Sequence, residues 1–221
     1  MNLQATDLKV AEEIIGYSFK DKVLLQTAFT HSSNIVKKEN YERLEFLGDS
    51  ILDFVVGARL FKVFPENSEG ELTKKRAYIV SAEVLSEIID ELKLIDFLTT
   101  APGKSREKVL ESKNVKCDLF EAIIGAIALD NNLDLVETEK FIWRNLEKYI
   151  DYNPIDYKSK TIEHCVQNQI DYSFDIEENN DGKIDEKFVC SLKIGKNTYV
   201  ATGKSKKDSE KKAAKQFFVT L

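Results

Sequence analysis

The chain has 221 residues, of which 43% are hydrophobic and 32% are charged, and its formal net charge at pH 7 is −6. This hydrophobic content is sufficient for a packed core, which excludes a disordered acidic protein. The overall acidity argues against a protein that coats nucleic acid through its bulk charge alone, although a local cluster of positive charge can override it.

Compartment and membrane association follow from the same survey. No apolar run is long enough to span a bilayer, and the N-terminal stretch MNLQATDLKVAEEI is charged and helix-like, unlike a signal sequence. The three cysteines are scattered and form no CxxC pair, which fits a reduced intracellular compartment and disfavours a zinc site. We therefore expect a cytoplasmic protein, or a nuclear one in a eukaryote, with no membrane partner.

Residues 1–150 are predicted to form an all-α domain, because apolar residues recur there at helical spacings of three and four. The stretches with this period are LLQTAF, 44–64, 72–92 and 117–129. Pro65 and the stretch ENSEGE separate one helix from the next, and TTAPGKSRE is predicted to be a second loop. Long strands with alternating polar and apolar residues are absent from this part of the sequence.

The pattern changes near DYNPIDY, where Pro154 indicates a linker over residues 151–156. Residues 157–221 are predicted to form an α+β module. Its elements in order are a helix in TIEHCVQNQ, a strand in YSFDIEE, a turn in NNDGK, paired strands in KFVCSLKI and NTYVATGK joined through 194–196, and a helix in SKKDSEKKAAKQFFVTL.

Charge divides the chain in the same way. The segment from Ile155 to Leu221 has 12 lysines and 11 acidic residues, a net charge of +1, so the preceding segment carries −7. Five of those lysines lie between Lys204 and Lys212. They cluster at the start of a predicted helix, which is the end that favours anions.

The stretch ERLEFLGD places Glu42, Glu45 and Asp49 at spacings of three and four among apolar residues. Such residues share one face of a helix, where like charges repel by a few tenths of a kcal/mol per pair. Solvent, a basic partner or a divalent cation could offset the repulsion. A second pair, Asp118 and Glu121, lies in KCDLFEAIIGAIALD with the same kind of spacing.

Two such helices could bring four carboxylates together into an oxygen-rich site suited to Mg²⁺ or Mn²⁺ and to phosphodiester hydrolysis. The alternative is two solvated acid pairs, which a chain with 32% charged residues can contain by chance. Burial of unpaired charge within apolar helices would be costly. A di-iron bundle is disfavoured, because neither His31 nor His164 has a glutamate three residues before it.

These motifs resemble those of the ribonuclease III family over nearly the whole chain. YERLEFLGDSILDF is similar to the family signature, and CDLFEAIIGAIALD to its second catalytic motif. GYSFKDKVLLQTAFTHSS and EGELTKKRAYIVS resemble the segments on either side of the signature. GKSKKDSEKKAAKQF resembles the last helix of a double-stranded-RNA-binding domain.

The resemblance implies an all-α ribonuclease III endonuclease domain followed by a small α+β (α-β-β-β-α) double-stranded-RNA-binding domain. It implies a metal-dependent endoribonuclease that cleaves double-stranded RNA by hydrolysis, leaving 5′-phosphate and 3′-hydroxyl ends. The expected cofactor is Mg²⁺, with Mn²⁺ as a substitute. The expected partners are double-stranded RNA and a second copy of the chain, without a small-molecule substrate, and the expected role is RNA processing or decay.

By motif position, the resemblance assigns Glu45, Asp118 and Glu121 as metal ligands. Asp49 would act through a metal-bound water, and Glu121 matches the position most directly tied to the chemistry. Glu42 is either an accessory acid at the edge of the site or a partner in a surface salt bridge. Glu69 matches a family acid near the scissile phosphate.

Other residues near the motifs are expected to be structural. Asp53 and His31 are interpreted as supporting or hydrogen-bonded structural residues, and Cys117 as core packing. Gly48 and Gly125 are expected to permit a close approach of helices. Family members work as homodimers, and the apolar signature helix, including Phe46 and Leu47, would supply the interface.

In the second domain, Lys206 and Lys207 match the family's lysine pair, and Lys204 and Lys211 are near enough to contribute phosphate contacts. Minor-groove contacts are expected from Glu163 and Gln167 of the first helix. Two departures predict fewer such contacts. The stretch NNDGKIDEKF lacks the family's Gly-Pro-x-His motif, and Gln167 falls four residues after Glu163 rather than three.

A third departure lies in the first domain, where TTAPGKSREKVLESKN lacks the Gly-Gly often seen there.

The rival interpretation is a non-cleaving protein that masks RNA duplexes or guides a partner through the same dimer. The presence of all four acids favours the nuclease.

Overall fold

The computed structural model describes residues 4–34, 39–103, 105–151, 157–179 and 186–220, without the side chain of Ser105. The chain divides into two compact units, Met1–Asn153 and Pro154–Leu221. In the first unit the described elements are α-helices with two short 3₁₀ turns, Leu94–Phe97 and Glu147–Tyr149. The helices are α1 (Ala5–Ile15), α2 (Lys22–Ala28), α3 (Glu42–Val63), α4 (Glu69–Ile79), α5 (Ala82–Leu92), α6 (Ser105–Glu111), α7 (Lys113–Asp130) and α8 (Val136–Leu146).

Helix α7 runs through the core of this unit. Its second half is apolar on every face, and a helix of that kind is stable only when it is surrounded by other elements. The buried apolar side chains of this helix are Leu119, Phe120, Ala122, Ile123, Ile124, Ala126, Ile127 and Ala128. Helix α3 packs along α7 and contributes Leu44, Ile51, Leu52, Val55 and Val56 to the same core.

Two glycines allow α3 and α7 to pack with their backbones in contact. A Cβ atom on Gly48 of α3 would collide with the carbonyl oxygen of Glu121. A Cβ atom on Gly125 of α7 would collide with the carbonyl oxygen of Leu44. Each helix therefore places a glycine against the other helix's backbone, as expected from the sequence.

Helix ends follow the local capping chemistry. Helix α3 ends at Val63, before Pro65, and α4 begins after Ser68, which forms a capping box with Glu71. The predicted break between these helices is therefore confirmed. At the far end of α7, the Asp130 carboxylate accepts hydrogen bonds from the Tyr17 hydroxyl (2.6 Å) and from the backbone N–H groups of Lys20 and Asp21 (both 2.8 Å).

One local prediction was wrong in detail, and one helical stretch divides where its apolar period did not indicate a break. The stretch 72–92 forms parts of two helices, because the Ser81 hydroxyl accepts from the Val84 N–H and starts α5. The predicted loop TTAPGKSRE ends early, since α6 begins at Ser105. The following Val109 and Leu110 pack against the core, and this burial favours a helix there.

The second unit contains a three-stranded antiparallel sheet and two helices. Its elements are α9 (Tyr157–Gln167), β1 (Tyr172–Glu178), β2 (Phe188–Ile194), β3 (Asn197–Gly203) and α10 (Lys206–Val219). The strand order is β1-β2-β3. The predicted α-β-β-β-α order is confirmed.

The β2–β3 hairpin pairs Ile194 with Asn197 through a two-residue turn. Gly195 of that turn has φ +55°, a left-handed conformation that costs glycine little. Helix α10 starts after Ser205, whose hydroxyl accepts from the Asp208 N–H. Its Ala213 and Ala214 are fully buried in the small core of this unit.

Some sequence predictions fall on parts of the chain that lie outside the described residues. These parts are residues 152–156 of the expected linker and residues 180–185 of the expected turn and loop after β1. Within the described ranges, no helix combines the length and apolarity needed to cross a membrane.

The contact at Gly48 gives a stability prediction. We expect Gly48→Ala to lower the free energy of unfolding by about 1–3 kcal/mol or more, because the added methyl group forces α3 away from α7. Gly70→Ala is the matched control, since Gly70 lies in α4 with no atom near the added Cβ. It should be neutral or stabilising by up to about 1 kcal/mol. Urea denaturation of both variants measures the difference, and an unchanged midpoint for Gly48→Ala would contradict the close contact.

Candidate active site

Helices α3 and α7 bring three carboxylates together. Glu45 lies in the first turn of α3, and Asp118 and Glu121 lie one turn apart on α7. One oxygen from each of these three side chains can be chosen so that all lie within 4.8 Å of one another. The crossing of α3 and α7 at Gly48 and Gly125 sets this proximity, because Glu121 itself supplies the carbonyl oxygen against which Gly48 packs.

Burial and mutual repulsion disfavour the charged forms of these acids. Glu121 is 8% exposed, and burial, followed by the charges of Asp49 and Asp118, raises its pKa from 4.5 to about 8. Burial and the charges of Asp118, Glu42 and Asp49 raise the pKa of Glu45. The pKa of Asp118 is also raised, chiefly by burial.

Asp49 lies at the exposed edge of the same group, one turn after Glu45 on α3. It is not one of the three acids whose oxygens converge. Its charge nevertheless contributes to the raised pKa values of Glu121 and Glu45. Asp49 is therefore close enough to act on the site while remaining in contact with solvent.

The carboxylate group suits a hard divalent cation. In the described part of the chain, Glu45, Asp49, Asp118 and Glu121 take part in no salt bridge, so no lysine or arginine neutralises them there. Oxygen-only donors at this separation match the preferences of Mg²⁺ and Mn²⁺. A cation at this position would relieve both the repulsion and the unpaired burial.

Two aromatic side chains lie beside Asp118: Tyr41 contacts the acid, and His31 packs against Tyr41. The Tyr41 hydroxyl donates a hydrogen bond to Asp118 Oδ2 (3.2 Å). The His31 ring meets the Tyr41 ring edge-on at 5.5 Å, and burial lowers the pKa of His31 despite the nearby charge of Asp118. His31 Nδ1 also lies 2.8 Å from Ser33 Oγ. The sequence indicated a structural His31 but gave no signal for Tyr41.

Cys117 contacts one of the acids as well as the core, whereas the sequence indicated core packing only. Its thiol donates to Glu121 Oε1 at 3.7 Å. Burial and the charges of Glu121 and Asp118 raise the pKa of the thiol. Cys117 is therefore a neutral, weak donor beside the most buried acid, and it also packs against the core.

The remaining acids named from the sequence lie outside the converging group. Glu42 is exposed at the start of α3, and its charge contributes to the raised pKa of Glu45. Glu69 is exposed in the first turn of α4, where its carboxylate accepts from the Thr73 hydroxyl (2.9 Å). Asp53 lies 3.8 Å from Arg76, which agrees with a structural role.

The candidate RNA-binding lysines are in the second unit. Lys206, Lys207 and Lys211 are exposed on α10, and Lys204 is exposed just before it. Asp208 fixes this turn, since its carboxylate accepts from the Lys204 backbone N–H (3.0 Å).

Two of these features favour anion binding by the turn. It presents several positive charges at a helix N-terminus, where the helix dipole also favours anions.

On α9, Glu163 and Gln167 are exposed one turn apart, and this spacing places them on the same face.

Comparisons with known proteins match both units. A family model described as Ribonuclease-III-like matches residues 21–149, and one described as Double-stranded RNA binding motif matches residues 157–219. The chain is 37% identical to Ribonuclease 3 of Francisella tularensis subsp. novicida strain U112, over 94% of this chain and 92% of that protein. It is 36% identical, with the same coverage, to Ribonuclease 3 of the subspecies holarctica strain FTNF002-00 / FTA.

Two solved structures of the nuclease domain of Ribonuclease III from Campylobacter jejuni are similar to the first unit. One has 39% sequence identity and a TM-score of 0.58, and covers 63% of this chain and 99% of that chain. The other has 38% identity and a TM-score of 0.59, and covers 65% of this chain and 96% of that chain.

The raised pKa of Glu121 predicts a pH-dependent stability. Between pH 4.5 and about pH 8, the Glu121 carboxyl binds more protons in the folded chain than in the unfolded chain. The stability that the protonated Glu121 carboxyl contributes is therefore fully present below its unfolded pKa. It is lost as the pH rises through its folded pKa. Glu121→Gln removes the loss. We expect the free energy of unfolding of the variant, relative to that of the wild type, to increase by at least about 2 kcal/mol as the pH rises over this range. One pKa unit corresponds to about 1.4 kcal/mol.

Urea denaturation in EDTA at a series of pH values measures this gain. Glu139→Gln, which changes an exposed carboxylate in the first turn of α8, is the control. A difference for Glu121→Gln that does not vary with pH would contradict the raised pKa.

Proposed function

The chain belongs to the ribonuclease III family, and we propose that it hydrolyses double-stranded RNA at a divalent-metal site formed by Glu45, Asp118 and Glu121. It is an endoribonuclease of this family with a double-stranded-RNA-binding domain. The observation that carries the proposal is the convergence of these three carboxylates, without a cationic partner in the described chain, on two helices in backbone contact.

Each acid has a distinct task in this proposal. Glu45, Asp118 and Glu121 would hold Mg²⁺, or Mn²⁺ in its place. When bound, the cation lowers the pKa of a water ligand and stabilises negative charge on phosphoryl oxygens. Asp49, exposed beside the group, would orient the attacking water and accept its proton. Attack of this water on the phosphorus would break the bond to the 3′ oxygen, which would take up a proton from solvent. The products would be a 5′-phosphate and a 3′-hydroxyl.

The smaller roles follow the same geometry. Glu42 would supply additional negative charge at the edge of the site, since its charge already contributes to the raised pKa of Glu45. Glu69 would approach the RNA backbone from α4, outside the metal group. We assign RNA cleavage to residues 1–150 and duplex binding to residues 157–221.

The second unit would bind the duplex through its shape and phosphates. The exposed lysines around the start of α10 would contact phosphates, and Glu163 and Gln167 of α9 would approach the minor groove, where the 2′-hydroxyls are displayed. Phosphate contacts position the protein and do not depend on the base sequence. This fits an enzyme that selects double-stranded RNA by its form.

We also propose a homodimer formed through the outer face of α3. Phe46, Phe54 and Phe61 are 76%, 63% and 73% exposed, and their spacings of eight and seven residues place them along one side of the helix. Leu47 is half-buried and extends this surface. One of the similar Campylobacter structures is described as showing flexibility in a region involved in dimer formation of its nuclease domain. Exposed aromatic side chains in a row are typical of a protein interface.

Cleavage of a labelled RNA duplex tests the proposed chemistry. We expect cleavage with Mg²⁺, none with EDTA, and a rate at least about 100-fold lower for Glu121→Gln, because the variant loses a charged metal ligand. Glu139→Gln should cleave at the wild-type rate. Gel-shift measurements should show equal duplex binding by all three proteins. Bound but intact duplex with wild-type protein and Mg²⁺ would instead support a non-cleaving, RNA-masking protein.

The lysine cluster predicts a change in salt dependence. Replacing Lys206 and Lys207 with alanine should weaken duplex binding and reduce the slope of log affinity against log salt by about 1 per lysine. Lys196→Ala is the control, because Lys196 is also exposed but lies in the turn at the opposite end of β3. An unchanged slope for the double variant would place the phosphate contacts elsewhere.

A further inference from the structure

Tyr41 is in contact with both helices that carry the site's acids. Its carbonyl oxygen accepts hydrogen bonds from the backbone N–H groups of Leu44 and Glu45 (both 2.8 Å), so it starts the first turn of α3. Its side chain reaches α7, where the hydroxyl donates to Asp118 Oδ2 at 3.2 Å. One residue therefore connects the backbone that carries Glu45 with the carboxylate of Asp118.

Burial and packing limit the movement of Tyr41. The residue is 3% exposed, and its backbone N–H donates to the Thr30 carbonyl oxygen (2.9 Å). Its ring packs edge-on against His31. The His31 backbone N–H in turn donates to the carbonyl oxygen of Thr99 (3.0 Å). A buried hydroxyl has little freedom to follow a carboxylate that rotates, so its hydrogen bond favours one orientation of Asp118.

We propose that Tyr41 is a positioning residue for the metal site, which holds Asp118 Oδ2 so that Oδ1 is presented to the cation. The inference rests on the proposed function, since it assumes that Asp118 is a ligand. Groups that hydrogen-bond to metal ligands orient them before the metal arrives, and their loss costs affinity. Tyr41 itself would touch neither the cation nor the RNA.

A second tyrosine–aspartate pair shows how a purely structural contact differs. The Tyr17 hydroxyl also donates to a carboxylate, that of Asp130. However, the two oxygens of Asp130 also accept backbone N–H groups from Lys20 and Asp21. Asp130 is thereby saturated by protein donors. Among the described residues, Asp118 has only the Tyr41 hydroxyl as a side-chain donor, and it lies next to two further carboxylates.

Calorimetric titration of Mn²⁺ into the full-length, RNA-free protein tests the role of Tyr41. We expect Tyr41→Phe to bind Mn²⁺ about 10- to 100-fold more weakly than the wild type. Tyr17→Phe is the matched control, because it removes the same kind of bond away from the acids. It should lose stability while it keeps wild-type Mn²⁺ affinity. Equal Mn²⁺ affinity for Tyr41→Phe and the wild type would overturn the inference.

The Mg²⁺ dependence of cleavage gives a second readout. We expect Tyr41→Phe to need about 10- to 100-fold more Mg²⁺ for half-maximal cleavage, with the rate recovering toward the wild-type value at saturating Mg²⁺. A role confined to packing would lower the melting temperature without moving this midpoint. Circular dichroism establishes that the variant is folded before either comparison is made.

Failure of the inference is distinguishable from failure of the proposed function. If Asp118→Asn weakens Mn²⁺ binding and Tyr41→Phe does not, the metal site stands and only the role of Tyr41 is lost. If the wild type binds no Mn²⁺, or Asp118→Asn binds it equally well, the metal site itself is wrong. A structure of the Mn²⁺-loaded wild type tests the geometry directly: Oδ1 must face the metal while Tyr41 still donates to Oδ2, and a broken hydrogen bond would overturn the inference.

Discussion

The backbone contact between α3 and α7 is the constraint on which the rest of the first unit depends. Gly48 and Gly125 let each helix approach the carbonyl oxygens of the other, at Glu121 and Leu44. Any larger side chain would push the helices apart and separate Glu45 from the acids of α7. The close packing of these two core helices and the convergence of the carboxylates therefore have the same cause.

This arrangement places charge where the protein alone does not stabilise it. Burial raises the pKa values of Glu45, Asp118 and Glu121, and the charges of neighbouring acids add to the effect. No described lysine or arginine pairs with these three acids. The apolar core holds the acids in place at a cost in stability that a bound cation would offset. Functional sites commonly show such perturbed acids, because the chemistry requires them close together.

Much of the fold and part of the site could be predicted from the sequence. Period and motif order indicated both units, and the spacing of the acids indicated that α3 and α7 could bring carboxylates together, as three of them are. The division at Val80 and Ser81 escaped prediction because the apolar period continues across a cap. The part played by Tyr41 also escaped, since its partner Asp118 lies 77 residues away. Spacing within one helix contains no information about contacts of that kind.

The shared use of α7 by the core and the site has a consequence for how this chain can change over evolutionary time. Asp118, Glu121 and Gly125 follow one another at steps of three and four residues, and buried apolar side chains occupy the positions between and after them. One inserted or deleted residue within this run would rotate everything beyond it by about 100°. The acids, the glycine and the core residues would then no longer face their partners together. Length variation should therefore be confined to the loops, while this segment of α7 is inherited as a block of fixed length.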